Sequence, residues 1–280
     1  MSSPGDNEPT DLLVRARSAL IDAVVALDEQ RDAVIVIGAQ AVYLRTGKMD
    51  VALAETTKDS DIALDPRALV DDPRVETAMR AAGFFPSAQG QPGSWVTPGG
   101  IPVDLMVPEA LAGPGGPSMR GARLPPHDKR AMRRARGLEA VLIDNEEMEI
   151  QSLDPADGRH VRVRVAGPSA LLVAKVHKIS ERTGTPHRLN DKDAHDIYRL
   201  LRAFETASLS DAFAVLLRDD SCGEVTREAI GHLEELFARP DSLGANMAGR
   251  AEEGVGDPEL VAASVSLLSM DLVRSLDGLR

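Results

Sequence analysis

Residues 34–46 read V-I-V-I-G-A-Q-A-V-Y-L-R-T, and the fold is organised around this stretch. The apolar run Val34–Ile37 predicts a buried strand. Gly38 ends the run, and residues 40–46 predict a short helix. A strand that turns through small residues into a helix N-terminus favours an anion such as a phosphate, because backbone N–H groups and the positive end of the helix dipole meet there.

Two aspartates follow this stretch after a loop. Asp59 and Asp61 lead into the apolar residues 62–64, and side chains two positions apart in a strand point to the same face. Two carboxylates beside a phosphate-binding turn could hold Mg²⁺ between the protein and a nucleotide. Acidic pairs also occur commonly on solvated loops, so the pair alone leaves both interpretations open.

A third carboxylate lies in residues 101–107, where alternating apolar residues predict a strand. Asp104 falls on the other face of that strand, where it either faces water or needs a partner, because an unpaired buried acid is costly. If this strand is the neighbour of the one that carries Asp61, three carboxylates could bind two Mg²⁺ ions, one at the attacking oxygen and one at a triphosphate.

These residues resemble a known family. Gly38-Ala39, Asp59-Ser60-Asp61 and Asp104 are similar to the nucleotidyltransferase fold of the DNA polymerase beta-like superfamily. Two later motifs, L-L-V-A-K at 171–175 and K-D-A-H-D-I at 192–197, resemble the AbiEii/MenT-type nucleotidyltransferase toxins, and the resemblance covers residues 34–201. Many members have Gly-Gly or Gly-Ser at the turn, whereas Ala39 offers no hydroxyl to a phosphate.

The resemblance implies a reaction. We expect Mg²⁺- or Mn²⁺-dependent transfer of a nucleoside monophosphate, from CTP or another pyrimidine NTP, to an RNA acceptor such as the tRNA 3′ end. Such a toxin blocks translation and has a cognate antitoxin protein as partner. The implied catalytic residues are Asp59, Asp61, Asp104, Lys175 and Asp196, with the first three as metal ligands. The implied nucleotide-binding residues are Gly38, Ala39, Thr57, Lys58 and Lys175.

Two other functions stay open at this point. A nucleotidyltransferase of this fold could act on a small molecule, as antibiotic-modifying enzymes do, or on a protein hydroxyl. A cationic antibiotic would require an acidic pocket, whereas an RNA acceptor would require a basic surface. The chain could also be a non-catalytic nucleotide-binding module, although the three intact aspartates argue against that.

The later motifs place opposite charges on two consecutive predicted helices. Lys175, Lys178 and Arg182 are spaced three and four apart and therefore share one helix face. Asp193 and Asp196 share a face of the next helix. One interpretation is an interhelical salt bridge. In the other, favoured by the resemblance, Lys175 binds the triphosphate and Asp196 orients Lys175 or the acceptor.

A basic segment, residues 119–136, carries seven cations and one acid in a chain of net charge −12. An acidic protein needs such a local patch to bind nucleic acid. We therefore expect RNA binding at Arg130, Arg133 and Arg134, with Arg130 and Arg134 on one face of a predicted helix. The alternative is an exposed helix face without a ligand.

Composition indicates an ordinary globular protein of 280 residues, with 43% hydrophobic residues and a single cysteine, Cys222. Its N-terminus lacks a signal-peptide pattern and no apolar run spans a membrane, so we expect a cytoplasmic location. The fold class predicted is α/β (α+β), a nucleotidyltransferase-like mixed sheet with flanking helices followed by an α-helical C-terminal domain. Residues 1–166 are predicted as the catalytic domain, and residues 167–280 as a helical domain that completes the active-site cleft.

The remaining elements are predicted from periodicity. Strands are expected at 94–96, 140–143 and 161–165. Helices are expected at 11–30, 66–82, 170–182, 190–206, 210–217, 226–239 and 258–276.

Overall fold

The structure is a computed structural model that describes residues 9–47, 60–88, 90–116 and 119–279. Two compact units are present. The described residues up to 41, from 60 to 135 and from 145 to 165 form the first, and those from 42 to 47, 136 to 144 and 166 to 279 form the second. The predicted class, a mixed sheet with flanking helices followed by a helical C-terminal region, is confirmed. The boundary at residue 166 as a division between catalytic and helical domains stays a prediction.

The secondary structure comprises nine described α-helices, eight described strands and short 3₁₀ helices. The helices α1 to α9 are Pro9–Ala26, Gly38–Thr46, Val75–Ala81, Pro168–Ser180, Asp191–Ala203, Thr206–Arg218, Gly223–Phe237, Leu243–Arg250 and Pro258–Ser275. The strands β1 to β8 are Val34–Ile37, Ser60–Leu64, Phe85–Pro86, Ser94–Val96, Pro102–Pro108, Arg133–Ala135, Asn145–Gln151 and His160–Ala166.

The first unit is built on one mixed sheet with the strand order β3-β4-β5-β2-β1-β8-β7. The central strand β2 pairs antiparallel with β1 and parallel with β5. Beyond the end of β4, the short strand β6 pairs parallel with β5. Helix α1 covers the sheet and is tied to β2 by the Ser60 hydroxyl, which donates a hydrogen bond to the carbonyl oxygen of Ala16 at 2.8 Å.

Three predicted elements are wrong. The helix expected at 66–82 begins only at Val75, because Pro73 has no N–H group and disfavours helical geometry in the residue before it. The strand expected at 140–143 is a buried 3₁₀ helix, Glu139–Leu142, since a short apolar run does not distinguish a strand from a buried helical turn. The helix expected in the basic segment is absent from its described residues, which form turns and β6.

The second unit is mainly helical, with α4 to α9 packed around a core of aliphatic side chains and the phenylalanines Phe213 and Phe237. In the described part of the chain, no helix combines the length and apolarity needed to cross a membrane. Asn190 caps the N-terminus of α5 by accepting a hydrogen bond from the backbone N–H of Lys192.

Candidate functional site

The turn between β1 and α2 lies directly against the Asp61 carboxylate. Ile37, the last residue of β1, is the Cα partner of Asp61 on β2. Gly38 follows with a φ of 68°, and a Cβ atom on Gly38 would lie 2.1 Å from Asp61 Oδ2. Glycine is therefore required twice, for its left-handed backbone and for the close approach of the carboxylate. Ala39, the next predicted nucleotide-binding residue, is buried at the start of α2.

The second predicted carboxylate is next to the first. In the parallel pair β2 and β5, Asp61 and Asp104 are Cα partners. Partners on adjacent strands, which lie about 4.8 Å apart, point their side chains to the same face. The structure therefore brings Asp61 and Asp104 together, an arrangement that the sequence left conditional on the two strands being neighbours. Two like charges in this position repel each other, and a cation relieves that repulsion.

One cation is supplied by Arg133. Its guanidinium Nη2 lies 3.0 Å from Asp104 Oδ2, and each of the two side chains is 24% exposed. Arg133 is the first residue of β6, and β6 pairs with β5 beyond Asp104. The residue was predicted to bind RNA, but its guanidinium contacts a carboxylate of the acidic pair.

Arg134 and Arg130 bind backbone. The Arg134 guanidinium donates to the carbonyl oxygens of Ala112, Gly113 and Gly115, and the Arg130 guanidinium donates to that of Gly90. Because the described residues of the segment form no helix, the prediction that Arg130 and Arg134 share a helix face is wrong. RNA binding by these arginines stays a prediction. The exposed cations of the segment are Arg120, Arg123, Lys129 and Arg130.

The donor chemistry of the acidic pair fits a divalent cation. Asp61 and Asp104 offer carboxylate oxygens, which are the ligands that Mg²⁺ and Mn²⁺ prefer. The third predicted ligand, Asp59, lies outside the described residues, as do Thr57 and Lys58. Within the residues that the structure describes, no group of three His, Cys, Asp or Glu side chains could hold a metal ion.

The second unit contains a separate network around Lys175. The Lys175 ammonium donates to Asp193 Oδ1 at 2.8 Å and to Asp196 Oδ2 at 2.6 Å. Lys178 bonds the same Asp193 oxygen at 2.8 Å, and Arg182 lies 3.6 Å from the other one. The interhelical salt bridge between α4 and α5, one of the two interpretations of these motifs, is therefore present. The triphosphate contact of Lys175 and its place in a cleft with the aspartates stay predictions.

Burial and charge act in opposite directions on this network. Burial lowers the pKa of Lys175, but the carboxylates of Asp193 and Asp196 outweigh it and hold that pKa above its usual value. Burial raises the pKa of Asp193, but Lys175 and Lys178 outweigh it and hold that pKa below its usual value. Lys175 and Asp193 are therefore both charged at neutral pH.

Two buried arginines were missed by the sequence reasoning. Arg17 of α1 donates from Nε to Gln40 Oε1 at 2.8 Å, so it braces the first turn of α2, and burial lowers its pKa to about 10. In the second unit, Arg199 donates to the Thr46 hydroxyl and lies over the Tyr43 ring. The sequence did contain a sign of the buried Arg17: it lies on the same helix face as the apolar residues Leu20 and Val24.

Thiol chemistry is not supported by Cys222. The side chain is buried, and burial together with Asp219 raises the pKa of the thiol to about 12. The thiol is therefore protonated at neutral pH and is a poor nucleophile.

Comparison of the chain with protein-family models, with curated proteins and with solved structures finds no match. The chemistry of the site is therefore inferred from its residues. The first unit presents two adjacent carboxylates beside a glycine turn at a helix N-terminus, which are the parts needed to hold a cation next to an anionic ligand.

Proposed function

We propose that this chain is a metal-dependent nucleotidyltransferase of the AbiEii/MenT toxin type. The observation that carries the proposal is the register of β2 and β5, which sets Asp61 beside Asp104 while Asp61 also lies against Gly38. This arrangement supports a cation site, because it places Asp61 in a strand, beside a second carboxylate and against the glycine turn.

In this proposal, Asp59, Asp61 and Asp104 hold Mg²⁺ or Mn²⁺. The ion, when bound, supplies positive charge that neutralises the triphosphate and polarises the reacting oxygens. The N-terminus of α2, beginning at Gly38, offers backbone N–H groups to a phosphate. An acceptor hydroxyl oxygen forms a bond to the α-phosphorus, the bond to the β-phosphate oxygen breaks, and pyrophosphate leaves. Asp104 takes the proton of the acceptor hydroxyl.

Lys175 is proposed to neutralise charge on the departing phosphates, with Asp196 orienting it. An ammonium group has three N–H donors, and Asp193 and Asp196 use two of them. One donor of Lys175 is thus left over by these two bonds. Its charge is permanent at neutral pH because both carboxylates raise its pKa.

The proposed acceptor is RNA, with the tRNA 3′ end as the expected position and a pyrimidine nucleotide such as CTP as the expected donor. The exposed cations of the basic segment support this choice, because an otherwise acidic protein needs a local positive patch to bind RNA. A cognate antitoxin protein is the expected partner of an enzyme that would block translation.

The test is transfer of label from each of the four NTPs, one at a time, to total RNA in the presence of Mg²⁺ or Mn²⁺. Asp61→Asn tests the site, and Asp71→Asn, an exposed aspartate of the same unit, is the matched control. We expect the wild type and Asp71→Asn to label RNA and Asp61→Asn to be inactive. Labelling of protein or of an aminoglycoside instead of RNA would identify another acceptor. No labelling of any acceptor by the wild type would contradict the enzyme proposal.

The basic segment has its own test. Reversing Arg120 and Arg123 to glutamate removes two exposed cations without touching Arg133 or Arg134. We expect weaker RNA binding with a shallower salt dependence, since each phosphate contact contributes about −0.9 to the slope for duplex. NTP binding should be unchanged. An unchanged salt slope would remove the segment from the RNA-binding surface.

A further inference from the structure

We propose that Arg133 is a positioning residue that stands in for the metal: it holds Asp104 while the site has no ion and opposes the ion's binding through its own charge. This inference rests on the proposed function, because it requires that Asp61 and Asp104 bind a divalent cation. It assigns to Arg133 a role at the metal site in place of RNA binding.

The position of Arg133 is fixed by its backbone. Its Cα pairs with Met106 of β5, and a further isolated bridge links it to Gly121. Gly93 also approaches so closely that a Cβ atom there would lie 2.6 Å from the Arg133 backbone nitrogen. These contacts fix the Arg133 backbone, and they therefore fix the point from which its side chain reaches Asp104.

The neighbouring arginine makes a different kind of contact. Side chains at successive positions of a strand point to opposite faces. Arg134 accordingly turns away from Asp104 and donates to three backbone carbonyl oxygens in residues 112–115. Arg134 therefore stabilises a loop, whereas Arg133 bonds a carboxylate of the proposed site. The two residues form a matched pair for experiment, because they share strand, charge and partial burial.

The electrostatic consequence has two parts. Asp61 and Asp104 repel each other on adjacent strands, and Arg133 offsets this repulsion in the metal-free protein. When a divalent ion binds, it offsets the same repulsion, and the Arg133 charge then repels the ion. Removing the charge of Arg133 should therefore lower the stability of the metal-free protein and raise its affinity for the metal ion.

The experiment measures Mn²⁺ affinity by titration calorimetry and melting temperature with chelator or with saturating Mn²⁺, using the full chain. The variants are Arg133→Met, Arg133→Lys and the control Arg134→Met. We expect Arg133→Met to bind Mn²⁺ about tenfold more tightly, the effect of one unit charge near a divalent ion at a partly solvated site. Without metal it should melt about 2–4 °C below the wild type, and Mn²⁺ should close that gap.

The two control variants, Arg133→Lys and Arg134→Met, should both keep the wild-type affinity for Mn²⁺. Arg133→Lys keeps the charge and should keep the wild-type affinity. Arg134→Met should lower the melting temperature without changing Mn²⁺ affinity, and metal should not restore its stability. If Arg133→Met does not fold, Arg133→Gln gives the same measurement with a polar side chain.

Two results would overturn the inference, and they differ in what else they overturn. Equal Mn²⁺ affinity of the wild type and Arg133→Met would show that Arg133 does not oppose the ion, and the proposed enzyme would stand. Failure of the wild type and of every Arg133 variant to bind Mn²⁺ at millimolar concentration would overturn the metal site itself, and with it the proposed function.

Discussion

The acidic pair of the first unit and the Lys175 network of the second contain the same kinds of side chain in opposite proportions. Asp104 and Asp61 lie side by side at partly exposed positions, and Arg133 bonds Asp104. In the network, Lys175, Lys178 and Arg182 surround Asp193, and the Lys175 side chain is only 6% exposed. In the first arrangement one cation bonds one of two adjacent carboxylates, whereas in the second three cations surround one carboxylate.

This difference shows how burial separates two roles of charged residues. Removing one partner of a buried, hydrogen-bonded ion pair leaves an uncompensated charge and is strongly destabilising. Removing a partly exposed carboxylate beside another one relieves repulsion instead. Substitution in the acidic pair should therefore lower activity without lowering stability, whereas substitution in the network should lower stability.

The largest expected effect is on activity at Asp61. Asp61→Asn should reduce nucleotidyl transfer at least about a thousandfold, because metal-assisted charge stabilisation contributes several kcal/mol to the transition state. Its free energy of unfolding, measured with urea, should equal or exceed that of the wild type. Transfer at the wild-type rate would show that Asp61 is not a metal ligand.

The next effect is on stability at Lys175. Lys175→Met should lower the free energy of unfolding by about 3–5 kcal/mol, because Asp193 and Asp196 lose their shared buried cation. The control is Lys178→Met, whose side chain is 35% exposed and should cost at most about 1 kcal/mol. Transfer assays on the folded fraction then separate the roles: a destabilised variant with wild-type turnover would confine Lys175 to structure.

A smaller effect is expected at Gly38. Gly38→Ala places a methyl group against the Asp61 carboxylate in a left-handed backbone, so it should lower the free energy of unfolding by about 1–3 kcal/mol and reduce transfer. Gly47→Ala is the matched control, because its φ is 59° and a Cβ atom there meets no atom within 4 Å. Urea unfolding of both variants measures how much of the lost free energy of unfolding is due to the contact with Asp61. An equal loss in the two variants, together with retained transfer by Gly38→Ala, would argue against that contact.

The smallest effect is the pH dependence of the stability that the Lys175 network contributes. The folded pKa of Asp193 lies below its unfolded value, so its contribution to stability is present above about pH 4 and is lost as the pH falls. The difference in unfolding free energy between the wild type and Asp193→Asn should stay constant from about pH 5 to 9. Below about pH 4 it should shrink by at most about 1.4 kcal/mol per pH unit. A difference that grows in acid would contradict the charge assignment.

Sequence patterns located most of the elements. The strand β1, the hairpin of β4 and β5, and the helices α1, α4, α5 and α9 follow from periodicity, because each buries one face or one apolar run of its own residues. The helix α8 and the strands β3, β6 and β7 were not predicted, since they are short or strongly polar. Pro73 explains the late start of α3, and the charged sequence of β7 hides a strand with few buried residues.

The sequence by itself determined that Asp61 and Asp104 belong to strands, and that Gly38 precedes a helix. Only the tertiary structure decided that β2 and β5 are neighbours in the register that pairs Asp61 with Asp104, and that Arg133 reaches Asp104. The physical reason is that the period of two fixes which face of its own strand a side chain occupies. It carries no information about the neighbouring strand or the register, which depend on contacts between residues distant in the chain.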